Sequence, residues 1–173
     1  MTTFPVSLDI ANRMTVAAFV QAFGDVAEHA PWVAAVAAQA RPFASRQAMS
    51  DAFGKAVVRA ARERQIELLL AHPDLAGKAA IAGDLTHESR NEQASAGLDQ
   101  LTQDEYDAFM ALNQAYRDRH GFPFILAVRG ATKHDILVGF EKRMDSPHDV
   151  EFRLALTQVA RIIRFRIEDR VLP

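Results

Sequence analysis

Two short polar clusters lie between residues 71 and 98, and together they hold the parts for acid–base chemistry. His72-Pro73-Asp74-Leu75 supplies an imidazole, and Ser89-Arg90-Asn91-Glu92-Gln93 supplies a hydroxyl, a carboxylate and an amide. A third segment, Gly121-Phe122-Pro123-Phe124-Ile125, is apolar and stiffened by proline. A histidine with nearby carboxylate and amide groups suits proton transfer on a small polar molecule. The chain has no GxGxxG, no phosphate-binding P-loop and no GxSxG, so the nucleotide folds and serine hydrolases marked by those motifs are not indicated.

Spacing decides which of these groups can act together. On a helix, residues three and four apart share a face, so Ser89, Glu92, Gln93 and Ala96 point the same way. That face can orient a histidine through the carboxylate and bind a urea or amide through the amide; it equally suits a solvated surface. His72 follows a helical run and faces the negative end of the helix macrodipole, which favours its protonated form. It is either a proton donor or a capping histidine. In the last helix, Phe152, Ala155, Leu156, Val159, Ile162 and Ile163 form one apolar face. Arg166 lies roughly 20° from Val159 on that wheel, whereas Arg161 and Arg164 lie roughly 160° and 140° away. A guanidinium aimed at a core needs an anion, and an internal carboxylate and a substrate carboxylate both fit. Arg161, Arg164 and Arg170 read as a solvated basic face.

Other groups carry weaker signals. His72, His87 and Glu92 match no standard metal-ligand spacing. His29, His120, His134 and His148 read as ordinary helix-end or polar-face residues, and Trp32 as a core or interface residue. The 173 residues include no cysteine, so disulfides, thiol catalysis and thiolate metal sites are excluded. A net charge of -2 argues against a dedicated nucleic-acid binder. No apolar run approaches the roughly 18 residues of a membrane span, and the first residues, MTTFPVSLDIANRM, lack the pattern of a secretory leader.

The elements that must position these groups are helical. Alanine is abundant and β-branched alternation is rare. Asn12 is expected to cap a helix ending at Phe23, before Gly24. Further helices are expected over 31–39, from Ser45, over 63–71 and over 89–96, with Gly97 as a stop. Thr102 and Glu105 form a capping-box pattern ahead of a helix that stops near Gly121. Residues 122–128 have strand composition but no partner strand, and read as an extended or partly helical segment. Helices over 133–144 and from Ser146-Pro147 to about Arg170 complete the chain, with residues 76–88 the longest expected loop. The expected architecture is an all-α, single-domain bundle of roughly eight helices over residues 1–173.

Several motifs in one order resemble the OHCU decarboxylase family, where OHCU is 2-oxo-4-hydroxy-4-carboxy-5-ureidoimidazoline. They are Phe19-x-x-x-Phe23-Gly24, Pro31-Trp32-Val33-Ala34, Arg41-Pro42-Phe43, His72-Pro73-Asp74-Leu75-Ala76-Gly77, Ser89-x-x-Glu92-Gln93, Ala96-Gly97-Leu98 and Phe122-Pro123-Phe124. His120 stands before Gly121 where the family commonly has an aromatic residue.

The resemblance implies an all-helical, cofactor-free enzyme of urate degradation that forms (S)-allantoin and CO2, binds no metal, and is a homodimer. It places the catalytic histidine on His72, and substrate contacts on Pro73, on Ser89, Arg90, Asn91, Glu92 and Gln93, and on Phe124, Ile125, Leu126, Ala127 and Val128. It implies that Glu92 orients His72 or binds substrate. The C-terminal arginine of the family falls on Arg166, with Arg164 as the competitor in register; the helical wheel prefers Arg166. The C-terminus is not a Ser-Lys-Leu peroxisomal address, so a bacterial-type cytoplasmic form is expected, with no nucleic acid or membrane partner.

Overall fold

Short side-chain caps set the helix starts along this chain. In the computed structural model, which describes residues 4–77 and 85–173, Ser7, Thr15, Ser45, Thr86, Thr102 and Thr132 each accept a hydrogen bond from a backbone N–H of the first turn. Each such cap stabilises its helix by about 0.5–2 kcal/mol. The helices among the described residues are α1 (Leu8–Arg13), α2 (Val16–Phe23), α3 (Trp32–Ala37), α4 (Arg46–Arg59), α5 (Arg62–Leu70), α6 (His87–Ser95), α7 (Gln103–His120), α8 (Lys133–Met144) and α9 (His148–Arg170), with a 3₁₀ turn at Ala38–Ala40. No strand is present among the described residues, so the all-α expectation holds.

The chain forms two compact units. The first comprises Met1–Ala71 and Val159–Pro173, and the second His72–Gln158. In the first unit, Phe19 packs against Phe23, Phe43 and Phe53 with ring centroids 4.8–6.0 Å apart. Phe19, Phe23 and Phe53 are fully buried, and burying such a ring stabilises the fold by about 1.5–3 kcal/mol. In the second unit, Tyr116, Phe124 and Phe140 are likewise fully buried. Phe124 stacks on Phe140 at 3.8 Å, and Gly139 lets that ring approach: a Cβ there would sit 3.3 Å from Phe124 Cζ.

Several boundaries differ from the expected ones. The helix expected from Asn12 to Phe23 is two helices, broken at Met14, which is extended in ψ (144°). Asn12 caps nothing: its side chain exchanges two hydrogen bonds with the Phe43 backbone, at 3.0 and 2.7 Å. Its amide finds a backbone 31 residues away, which a local reading cannot see. Helix α6 begins at His87, so His87 and Glu88 are helical, not part of the 76–88 loop. Residues 78–84 of that loop lie outside the described residues. The Thr102–Glu105 capping box and the stop at Gly121 (φ 78°) are both present.

Candidate active site

His72 stands two residues beyond the last residue of α5. It is 6% exposed. Pro73 fixes the backbone behind it, and the following loop is tied down residue by residue. Gln93 accepts a hydrogen bond from the Ala76 N–H at 2.9 Å and donates to the Asp74 carbonyl at 3.3 Å. Asn113 donates to the Leu75 carbonyl at 2.8 Å, and Arg117 Nε donates to Asp74 Oδ1 at 2.9 Å. Ala76 has φ 54°, a left-handed conformation that costs a non-glycine residue about 1–3 kcal/mol. At Gly77 an added Cβ would lie 2.7 Å from Asp74 Cβ, so the turn closes only around glycine.

Helix α6 presents the expected face inward. Ser89, Gln93 and Ala96 are 4–5% exposed and Glu92 is half-buried, so this is not a solvated surface. Arg90 and Asn91 are exposed. With Gln93, Ala76, Leu85 and Tyr106 they line a cavity of about 560 Å³ whose walls do not include His72, Glu92 or residues 124–128. Among the described residues no three His, Asp or Glu side chains gather as metal ligands. His72, His87 and Glu92, which match no standard ligand spacing, are not such a group; exposed His87 meets Asn91 at 3.2 Å.

Residues 124–128 are buried apart from half-buried Leu126, and are fixed by groups that the sequence reading missed. Arg143 Nη1 donates to the Ile125 carbonyl at 2.7 Å and its guanidinium lies 4.4 Å from the Phe124 ring centroid. The Ala127 N–H donates to Gln158 Oε1 at 3.0 Å. Arg143 also pairs with the fully buried Glu151, which accepts the Tyr116 hydroxyl. Burial, and then the bond to Glu151, push the Tyr116 phenol far above its ordinary pKa.

The C-terminal arginines sort as the helical wheel requires, and Arg170, roughly 20° from Val159 on that wheel, corrects the expectation. Arg166 is 3% exposed and Arg161 and Arg164 are exposed. Within the first unit Arg166 pairs with Glu28 at 2.6 Å. Arg170, expected in a solvated face, is instead 7% exposed and forks onto Asp25 at 2.5 and 2.9 Å. Burial pushes the Asp25 carboxyl up, but the Arg170 hydrogen bond and charge outweigh it and hold the pKa below its ordinary value. The wheel does not reveal Asp25, which lies 145 residues away. His120 is a helix-end residue as expected, the last of α7. It is 3% exposed and its Nε2 donates to the Met144 carbonyl at 3.0 Å, which fixes the proton on that nitrogen.

One signal could have exposed Asn113 among the missed residues. Asn113 lies on the α7 face of Phe109 and Tyr116, while Glu151 and Gln158 only border the apolar stripe of α9. A polar residue inside an apolar stripe must find a partner; sequence shows the need and not the partner.

The chain is similar to known proteins over most of its length. The profile of the OHCU decarboxylase family matches residues 12–168. A protein of Haloferax volcanii named 2-oxo-4-hydroxy-4-carboxy-5-ureidoimidazoline decarboxylase is 42% identical over 164 residues, 95% of each chain. The uric acid degradation bifunctional protein PucL of Bacillus subtilis is 42% identical over 166 residues, of which this chain spans 32% of the length. The crystal structure of an (S)-allantoin synthase matches with a TM-score of 0.77 and 30% identity, over 97% of this chain and 54% of that one. A second structure, of an OHCU decarboxylase in the presence of (S)-allantoin, has the same fold, with a TM-score of 0.64 and 18% identity over 79% of this chain and 87% of that one. With a family profile across 157 of its 173 residues and near-full-length relatives, the chain belongs to the OHCU decarboxylase family.

Proposed function

We propose that this chain decarboxylates OHCU to (S)-allantoin and CO2 without a cofactor, with His72 in proton transfer. The observation that carries this reading is the 42% identity, over 95% of each chain, to a protein named for that reaction, with the motif residues His72, Ser89 and Gln93 present and buried in one unit. The family match runs through both units, and we take residues 1–173 as one functional domain.

The substrate's name fixes the chemistry. Carboxylate and hydroxyl share C4, and the ureido group is on C5, which is doubly bonded to a ring nitrogen. Breaking the C4–CO2 bond sends the electron pair into a C4–C5 double bond and moves charge to that nitrogen. A proton added at C5, a second added at that ring nitrogen and loss of the C4 hydroxyl proton give the C4 carbonyl and the ring N–H, and set the stereocentre of allantoin. His72 delivers the C5 proton from one face. Glu92 orients the imidazole or binds the ureido N–H groups. Pro73, Ser89, Arg90, Asn91 and Gln93 shape the pocket around the ureido group.

Residues 124–128 present backbone polarity to the ring. Because the Ile125 carbonyl and the Ala127 N–H already serve Arg143 and Gln158, the ring-reading groups are sought among the other backbone N–H and C=O groups of Phe124, Ile125, Leu126, Ala127 and Val128. Arg166 is the candidate that holds the substrate carboxylate, supported by its place in the apolar stripe of α9. We infer a cytoplasmic homodimer from the same family likeness; among the described residues no helix is long and apolar enough to cross a membrane.

The test generates OHCU in solution from urate with uricase and 5-hydroxyisourate hydrolase, and follows circular dichroism at an allantoin-sensitive wavelength. Rapid appearance of the (S)-allantoin signal, unaffected by EDTA, supports the reading. No acceleration by folded protein sinks it.

A further inference from the structure

We propose that Asn113 and Arg117 are positioning residues for the His72 imidazole. The proposal rests on the assignment of His72 as the proton-transfer group.

The two residues lie one turn apart on α7 and so share a face. Both reach the loop directly behind His72. Asn113, 2% exposed, donates to the Leu75 carbonyl. Arg117, half-buried, donates to the Asp74 carboxylate, at side-chain exposures of 34% and 26%. Gln93 of α6 holds the Asp74 carbonyl and the Ala76 N–H. Residues 74, 75 and 76 are thus each tied to a helix, and the loop's own Gly77 N–H to Asp74 carbonyl bond is long, at 3.4 Å.

The chemistry of position 113 points the same way. It sits among Phe109 and Tyr116, which are 1% and 0% exposed. A leucine would serve that core better, because a buried amide is unfavourable unless it is hydrogen-bonded. Its amide instead satisfies a loop carbonyl that would otherwise be buried without a donor. The loop also contains a strained residue, Ala76, whose left-handed backbone persists only where its surroundings hold it. His72 is tethered between the end of α5 and this clamped turn. A displacement of about 1 Å at a reacting group can cost on the order of a hundredfold in rate, so a rigid helix behind the loop has a direct use.

The experiment measures kcat and KM of Asn113→Leu, Arg117→Lys and Arg117→Gln in the (S)-allantoin dichroism assay. Thermal unfolding is recorded in parallel, together with the NMR pH titration of the His72 ring, assigned among six histidines by His72→Gln. The expected result is a folded Asn113→Leu protein with kcat reduced tenfold or more, KM within twofold of wild type, and a displaced or broadened His72 resonance. Arg117→Gln should lose kcat severalfold, and Arg117→Lys, which keeps a cation for Asp74, should recover most of it. A folded Asn113→Leu protein with wild-type kcat and an unmoved His72 resonance overturns the proposal. If Asn113→Leu does not fold, wild-type kcat in Arg117→Gln overturns it. If His72→Gln keeps full activity, the assignment of His72 fails separately. The ring resonance then still reports whether Asn113 and Arg117 hold that side chain, and an unmoved resonance overturns the proposal.

Discussion

Arg166 and Glu28 meet at 2.6 Å with side chains 2% and 1% exposed, so each charge is almost wholly withdrawn from water. Glu28 takes a left-handed backbone, φ 52°, to carry its carboxylate there. Removing one partner strands the other charge. Glu28→Gln should therefore lower unfolding free energy by on the order of 3 kcal/mol, read from urea melts. Combining it with Arg166→Met should recover part of that loss. If Arg166 also holds the substrate, the double variant stays inactive despite its restored stability; a pair with only a structural role returns activity along with the fold.

The Ala127 N–H depends on Gln158 for its acceptor. Gln158→Leu leaves that group buried and unsatisfied, at a cost of about 1–3 kcal/mol. If residues 124–128 read the substrate ring, KM should rise severalfold while kcat changes little. Steady-state kinetics at saturating and limiting substrate separate the two. Arg143→Met should be harsher, because it also leaves Glu151 buried without its cation.

Tyr116 predicts an alkaline limit to stability. Burial and the bond to Glu151 keep its phenol neutral in the fold well above the pH at which an unfolded tyrosine ionises, about 10. The unfolded state therefore binds fewer protons there. The contribution is fully present below about pH 10 and is lost as pH rises beyond it. Tyr116→Phe should flatten the fall in urea midpoint between pH 10 and 12. An unchanged slope would assign that fall to other groups.

How much of this was legible follows from the range of each interaction. The helix starts at Ser45 and Thr102, the stop at Gly121 and the inward face of Ser89, Gln93 and Ala96 depend on residues within a turn or two, and local pattern reveals them. Burial of Arg166 follows from the period of α9, since 166 and 159 share a side of the helix. The break at Met14 was invisible because Asn12 looks like a cap but bonds Phe43. Arg170 is buried for the same periodic reason as Arg166, since it lies roughly 20° from Val159, and placing it on a solvated face overlooked this; only its partner Asp25 is beyond local pattern. The clamps on the two segments, by Asn113 and Arg117 and by Arg143 and Gln158, join residues 18 to 43 positions apart. Spacing names the residue that needs a partner, and only the fold supplies it.

The most direct measurement compares wild type with His72→Gln in the dichroism time course, with OHCU formed in situ. The account predicts that wild type produces the (S)-allantoin signal far above the spontaneous racemic background. It predicts that His72→Gln, with unchanged far-ultraviolet dichroism, loses about a hundredfold or more of that rate, the scale of a missing general acid. A folded His72→Gln protein that forms (S)-allantoin at the wild-type rate would contradict it.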